Sequence, residues 1–322
     1  MMERSVIRRI LNKYSLVFIL IAFMIVFSII SPHFLTVTNL INVLRQQSVV
    51  ILLAFGEMVL IVSGMIDLAA GSVLALSGCV SIYVYKAVPN MALAFAAAIG
   101  VAVACNFLSG LMVTKFNMPP FIATLAMQTM GRGAALYITG GQNIYDIGEY
   151  VRVGQGDILG VPTPVIIMLC AFLIMHYIMR YTKFGRSTYA VGGNQLAATA
   201  AGIKANVVKM KAYVLHGVLI GIAAVVFMSR VNGGLPNGAQ QYESDAITAT
   251  IVGGTSFSGG AGTPFGTLLG ALIVGFMNNV MNLLSIDSYI QQIVRGLIIA
   301  FAVALDIMTR SRQNYKRKIL KD

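Results

Sequence analysis

The sequence contains no tryptophan, three histidines and three cysteines in 322 residues, and only 11% of those residues are charged. An ordinary soluble domain carries roughly 25% charged residues. Hydrophobic residues make up 57% and the mean hydropathy is +0.82. A water-exposed globule of this length lacks the polar surface to cover so much apolar mass, so the excess must face lipid. Soluble enzymes, secreted domains and disordered tails are excluded on that ground. Cys79, Cys105 and Cys170 all lie in apolar runs, with no CxxC and no histidine cluster nearby. That pattern argues against a disulfide framework and a structural metal.

Other missing patterns narrow the function. There is no GxxxxGK[ST] phosphate loop, so the chain does not hydrolyse ATP by that route. There is no intramembrane row of acids and no arginine ladder, which argues against a proton relay or a voltage sensor. Asp67 and Glu57 are the only acids inside apolar runs that could couple an ion, so a secondary transporter is a weak alternative. No nucleophile, histidine and acid set marks a polytopic membrane enzyme. The basic excess is not interleaved with aromatics, so nucleic acid is not an expected partner.

What is present is a succession of apolar runs, at about 16–30, 47–63, 68–85, 91–113, 119–139, 161–179, 211–229, 244–260, 264–284 and 288–308. At roughly 20 residues per crossing, these predict an all-α polytopic inner-membrane protein of about ten transmembrane helices, some broken or re-entrant. The first run follows Arg4, Arg8, Arg9 and Lys13 and lacks a small-x-small cleavage pair, so it reads as an uncleaved helix. The run 40–85 must turn near Ser63-Gly64. The stretch 244–263 is too rich in glycine for a straight lipid-facing helix, and irregular backbone at membrane depth must be surrounded by protein or a wet cavity.

The net charge is +12, and its distribution sets an orientation. Seventeen of the 23 basic residues fall in the N-terminal segment, at Lys115, in the loop 180–211 and in the tail. The positive-inside rule places that side in the cytoplasm. Residues 1–322 then read as one transmembrane domain, with a cytoplasmic segment 1–14, a cytoplasmic loop 180–210 and a cytoplasmic tail 309–322.

The loop 180–210 is the most informative segment. Gly192-Gly193 is expected to break the chain, Asn194 to cap a helix, the alanine-rich run 196–201 to form it, and Gly202 to stop it. The result is a short cytoplasmic helix that is either a connector or a docking surface for a soluble partner. Its residues are Gly192, Gly193, Asn194, Gln195, Ala197, Ala198, Ala201 and Gly202. Inside the spans, Asp67 before Gly71 reads as a helix-start cap. Glu57 and Arg295 are left open, with an acid as one possible partner for Arg295. His176 and His216 read as core or interfacial histidines. Gly266, Gly270 and Gly275 suit tight helix packing. The amides Gln46, Gln47, Asn106, Gln128, Asn278 and Asn279 are either glue between helices or the lining of a path for a neutral, hydrogen-bonding solute.

Several stretches together resemble the permease subunits of bacterial ATP-binding-cassette sugar importers of the ribose type, a group related to branched-chain amino-acid permeases. They are Gly64-Met-Ile-Asp67-Leu-Ala-Ala-Gly71-Ser72, Pro119-Pro-Phe-Ile-Ala-Thr-Leu125, Phe184-Gly-Arg-Ser-Thr-Tyr-Ala-Val-Gly-Gly-Asn194, Val252-Gly253-Gly254-Thr-Ser-Phe-Ser-Gly259-Gly260 and Gln292-Ile-Val-Arg-Gly296. They are spread over about 60–300, nearly the whole chain. Met65 and Ala69-Ala70 depart from the pattern, where many sugar permeases have glycine and Ser-Val. The resemblance implies import of a pentose or hexose by alternating access. It implies a second permease copy or paralogue, two cytoplasmic ATP-binding domains that hold ATP and Mg and dock on 194–202, and a periplasmic or lipid-anchored sugar-binding protein. No cofactor or metal is expected on this chain. A branched-chain amino-acid permease is the alternative within transporters.

Overall fold

The computed structural model describes residues 15–319, so the segment 1–14 and the last three residues of the tail lie outside it. The chain is almost wholly helical. In order, the long helices are α1 (Ser15–Ile30), α2 (Val37–Val62), α3 (Ala70–Ala87), α4 (Met91–Thr114) and α5 (Pro120–Thr139). A 3-10 turn (Gly148–Val151), the short α6 (Arg152–Gln155) and a two-residue hairpin, Asp157–Ile158 with Val161–Pro162, precede α7 (Thr163–Tyr181). Then come α8 (Lys183–Gly193), α9 (Gln195–Ala200), α10 (Ala205–Arg230), α11 (Tyr242–Val252), α12 (Pro264–Leu283) and α13 (Ser288–Ile319).

Among the described residues, six helices are long and apolar enough to cross a membrane: α2, α3, α4, α7, α10 and α12. The remaining expected crossings fall on α1, α5 and α13, and on the 11-residue α11 with the non-helical segment after it. The expected run 244–260 is therefore half a helix. The broken run 40–85 turns where Ser63-Gly64 indicated: α2 ends at Val62 and α3 begins at Ala70.

Two helices form the centre. From Gln47 to its end at Val62, α2 is buried on every side, as expected for a helix apolar all round. The second is α10, whose Gly217 and Gly221 lie against the backbone of α4 at Val103 and Ile99. Small residues let membrane helices approach closely enough for dispersion and weak polar contacts to hold them. The same device joins α11 to α12: Gly266 lies on Gly253, and Gly270 on the carbonyl of Ala249. Gly275 receives the side chain of Gln47. The outer faces of α1, α4, α5 and α7 expose Ile29, Leu108, Phe121 and Leu173, which suits lipid contact.

The bundle has two distinct ends. At one, the loop after α5 bridges to the loop after α10 through Ile144 and Gly234. There Arg45 also pairs with Asp157 at 2.9 Å. At the other end, the last turns of α2, α4 and α7 meet α8, α9 and the first turns of α10 and α12. Asn206 donates to the carbonyl of Thr114 at 2.9 Å, and Tyr189 donates to that of Gly262 at 2.8 Å. Burial pushes the Tyr189 phenol up from its ordinary pKa.

Candidate functional site

The end that carries α8 and α9 is built from close backbone contacts. Both Gly192 and Gly193 belong to α8, so the chain breaks at Asn194 rather than at the glycines. Asn194 is extended and its Oδ1 accepts from the N–H of Ala197 at 2.9 Å, as a capping asparagine should. Gly202, at φ 85°, reverses the chain after α9. Gly192 serves close approach: a Cβ there would run into the carbonyl of Val62 and the N–H of Gly260. A Cβ on Gly193 would meet nothing within 4 Å. Within α9, Gln195, Leu196, Ala197 and Thr199 are exposed, with Ala201 exposed just beyond it, and Leu196 is 84% exposed. Ala198 points inward onto Val191, Ala205 and Val208. The outward surface is therefore narrower than the sequence suggested.

The glycine-rich segment 253–263 returns from α11 to this same end. Its backbone bonds are satisfied by protein: the Gly260 N–H donates to the Val62 carbonyl at 2.8 Å and the Ser256 N–H to that of Ala261 at 2.9 Å. Gly254, Gly259 and Gly260 have φ between 74° and 83°, which side chains rarely adopt. This is how an irregular segment survives at membrane depth.

A second feature is a polar hollow of about 580 Å³, lined by Ser72, Gln128, Thr129, Arg132, Gly133, Gln240, Gln241 and Glu243. Two helices begin at it, α3 and α11, and neither has a side-chain cap. Their first N–H groups carry partial positive charge. Glu243 answers that charge. Its Oε1 accepts from Gln128 Nε2 at 3.2 Å and its carboxylate takes the N–H of Gly71. Gly71 is required there, since a Cβ would strike Glu243 and the carbonyl of Ala239. Arg132 donates to the carbonyls of Pro236 and Gly238 at 2.6 and 2.9 Å, fixing the loop before α11. The result is a cleft of amides, hydroxyls and oriented N–H groups whose two charges already have partners. Such a surface suits a neutral solute with many hydroxyls.

Of the six amides singled out as a path, only Gln128 lines this hollow. Asn279 is tied to Asn39 by reciprocal side-chain hydrogen bonds of 2.8 and 2.9 Å. Gln47 is buried on Gly275, Asn106 donates to the carbonyl of Ala102, and Asn278 is buried. Gln46 is exposed on α2. Asp67 does turn the chain before α3, its Oδ1 accepting from the Ala69 N–H at 2.7 Å. It also lies 3.2 Å from His216, which reads from sequence only as a core or interfacial histidine. Arg295 pairs with Asp245 at 3.4 Å. The hollow's Arg132, Gln240, Gln241 and Glu243 escaped the sequence reading. Their loop and the start of α11 carried no pattern that placed them beside α3 and α5.

Residues 39–303 match the family model described as branched-chain amino acid transport system / permease component. The chain is 41% identical over 285 residues to the ribose import permease of Bacillus subtilis, covering 88% of each chain. It is 40% identical over 301 residues to that of Escherichia coli K12, covering 92% of this chain and 94% of the relative. The D-allose transport system permease of the same bacterium is 35% identical over 298 residues, covering 92% and 91%. No solved structure is detectably similar. The chain belongs to this family of transport-system permease components, within its ribose-type group.

Proposed function

We propose that the chain is the membrane-spanning permease subunit of an ATP-binding-cassette importer for a monosaccharide, a pentose or a hexose. The single observation that carries this is the identity of about 40% to ribose import permeases along nine-tenths of the chain. The chemistry of the hollow agrees with it, because hydroxyls both donate and accept and so can use amides and free N–H groups alike. The sugar passes along the exposed side of the hollow, at the interface with a second permease copy or paralogue. A separate pair of ATP-binding subunits holds ATP and Mg, supplies the hydrolysis and docks on the surface of α8 and α9. A sugar-binding protein, periplasmic or lipid-anchored, delivers sugar at the opposite end. The termini and the loop 180–210 face the cytoplasm, by the charge asymmetry.

A second reading, import of a branched-chain amino acid, draws on Arg132 and Glu243, whose opposite charges would suit a zwitterion. Both are engaged within the protein, which favours the neutral solute. Vesicles containing the assembled transporter separate the two. Uptake of ribose or allose that excess leucine does not inhibit supports sugar transport, and the reverse pattern overturns it. Cysteines placed at Leu159 and Thr199, in a chain with the native cysteines removed, are expected to label from opposite sides of the membrane. Labelling of both from one side would reject the topology.

A further inference from the structure

Glu57, Asp67 and His216 are almost fully buried, at 1, 1 and 0% exposure. They come from three segments: α2, the turn that follows it, and α10. His216 Nε2 lies 3.2 Å from Asp67 Oδ2 and 3.6 Å from Glu57 Oε2. Backbone groups fix the other oxygen of each acid. The Asp67 N–H donates to Glu57 Oε1 at 3.1 Å, and the Ala69 N–H donates to Asp67 Oδ1 at 2.7 Å. The two carboxyl groups are thus held with their remaining oxygens converging on one ring nitrogen. Gly56 admits the ring, since a Cβ there would overlap Nδ1.

The surroundings supply little counter-charge. Tyr213, one turn before His216 on α10, and Asn106 of α4, which packs on Gly217, bring a buried hydroxyl and a buried amide oxygen without partners. Asp67 Oδ2 and both nitrogens of His216 also lack a hydrogen bond of good geometry. Cys105 of α4, Tyr213 and Glu243 of α11 are the other titratable groups within electrostatic reach. Among the described residues no lysine or arginine pairs with the cluster. Arg45, Arg152 and Arg295 pair with other acids, and Arg132 is bonded to backbone carbonyls.

With both acids ionised and the imidazole neutral, the cluster would carry two uncompensated negative charges in the protein interior, which is costly. One proton on the ring leaves one negative charge, and a second proton, shared by the acids, leaves none. We propose that Glu57, Asp67 and His216 form an enclosed proton-binding site that holds two protons in the packing seen here. Its occupancy secures the turn 63–69 against α10. That turn follows Val62, which touches Gly192 and Gly260, and leads into α3, whose Ser72 lines the hollow. The site therefore sits on the physical link between the docking surface and the sugar path. This regulatory role rests on the transport reading above; the proton content does not.

The experiment uses the full permease–ATPase complex. Infrared spectra of the purified wild type at neutral pH are expected to show a protonated carboxylic-acid carbonyl band that shifts in deuterium oxide. Glu57→Gln leaves one carboxylate facing one imidazolium, so that band should lose the intensity of one acid, and Asp67→Asn should do the same. In vesicles, the ratio of sugar uptake at alkaline to neutral pH is expected to be below one in the wild type and to move toward one in Glu57→Gln. A wild type without a protonated-acid band overturns the proposal, as does a band that neither variant diminishes. Sugar uptake with an unchanged pH ratio in Glu57→Gln overturns the regulatory role. A wild type that carries no sugar strikes the transport reading instead and leaves the infrared result standing.

Discussion

The N–H of Gly260 donates to the carbonyl oxygen of Val62 at 2.8 Å. That one bond ties the end of the most deeply buried helix to the glycine-rich return segment. Gly192 of α8 lies against the same carbonyl. Three segments far apart in sequence meet there with backbone on backbone, which leaves no soft side chain to absorb a displacement. A contact of this kind can carry a small movement of α8 and α9 into the centre of the bundle.

The first expectation separates two adjacent glycines. Gly192→Ala puts a methyl group into the Val62 carbonyl and should destabilise the fold by about 1–3 kcal/mol, the usual cost of overpacking. Gly193→Ala enters open space inside a helix and should be neutral or stabilise by about 0.5–1 kcal/mol. Thermal unfolding of both variants in detergent checks this. Equal effects would mean that the close approach at Gly192 contributes nothing.

The proposed docking surface can be tested apart from the core beneath it. Ala197→Trp alters the exposed side of α9 and should leave unfolding unchanged while the ATP-binding subunit no longer co-purifies. Ala198→Trp forces bulk into the cluster of Val191, Ala205 and Val208 and should lower the unfolding temperature as well. Normal assembly and uptake in Ala197→Trp would return α9 to the role of a connector.

In the hollow, Gln128→Ala removes one amide from the lining. A lost hydrogen bond of about 1 kcal/mol corresponds to about a fivefold rise in half-saturating sugar. Glu243→Gln should act more strongly, because it replaces the carboxylate that accepts from Gln128 and Gly71. Hydrogen bonds to charged groups contribute about 1.5–3 kcal/mol. Uptake kinetics over a range of sugar concentrations are the measurement.

Asn279 is expected from the sequence as either glue or path, and its pairing with Asn39, which the sequence reading did not single out, makes it glue. Its two hydrogen bonds span α2 and α12. A double-mutant cycle with alanine should give a coupling of about 0.6–1.7 kcal/mol, the range found between membrane helices. A coupling near zero would indicate that the bonds are not made in the membrane.

How much of this was readable beforehand depends on range. Local signals held: the turn after Val62, the cap at Asn194, the reversal at Gly202 and the close-packing glycines of α12 are decided by neighbours in sequence. Distant convergence did not show. Nothing in the spacing of Glu57, Asp67 and His216 brings two acids to one imidazole, because that depends on how α10 packs against α2. Ala198 reads as docking surface in a run of alanines, and only the packing of α9 on α10 turns it inward. The hollow was missed for the same reason. Its residues come from α3, α5 and the start of α11, and five of the six amides chosen for a path lie elsewhere.

The central claim is that this chain moves a monosaccharide when a separate subunit hydrolyses ATP. The most direct measurement is uptake of labelled ribose into vesicles that hold the permease and its ATP-binding subunit, with the binding protein outside and ATP inside. Labelled allose and arabinose run in parallel. At least one sugar is expected to accumulate, and accumulation should stop when the ATP-binding subunit is replaced by a hydrolysis-deficient variant. Equal sugar entry with that variant, or accumulation driven by an ion gradient without ATP, would contradict the account.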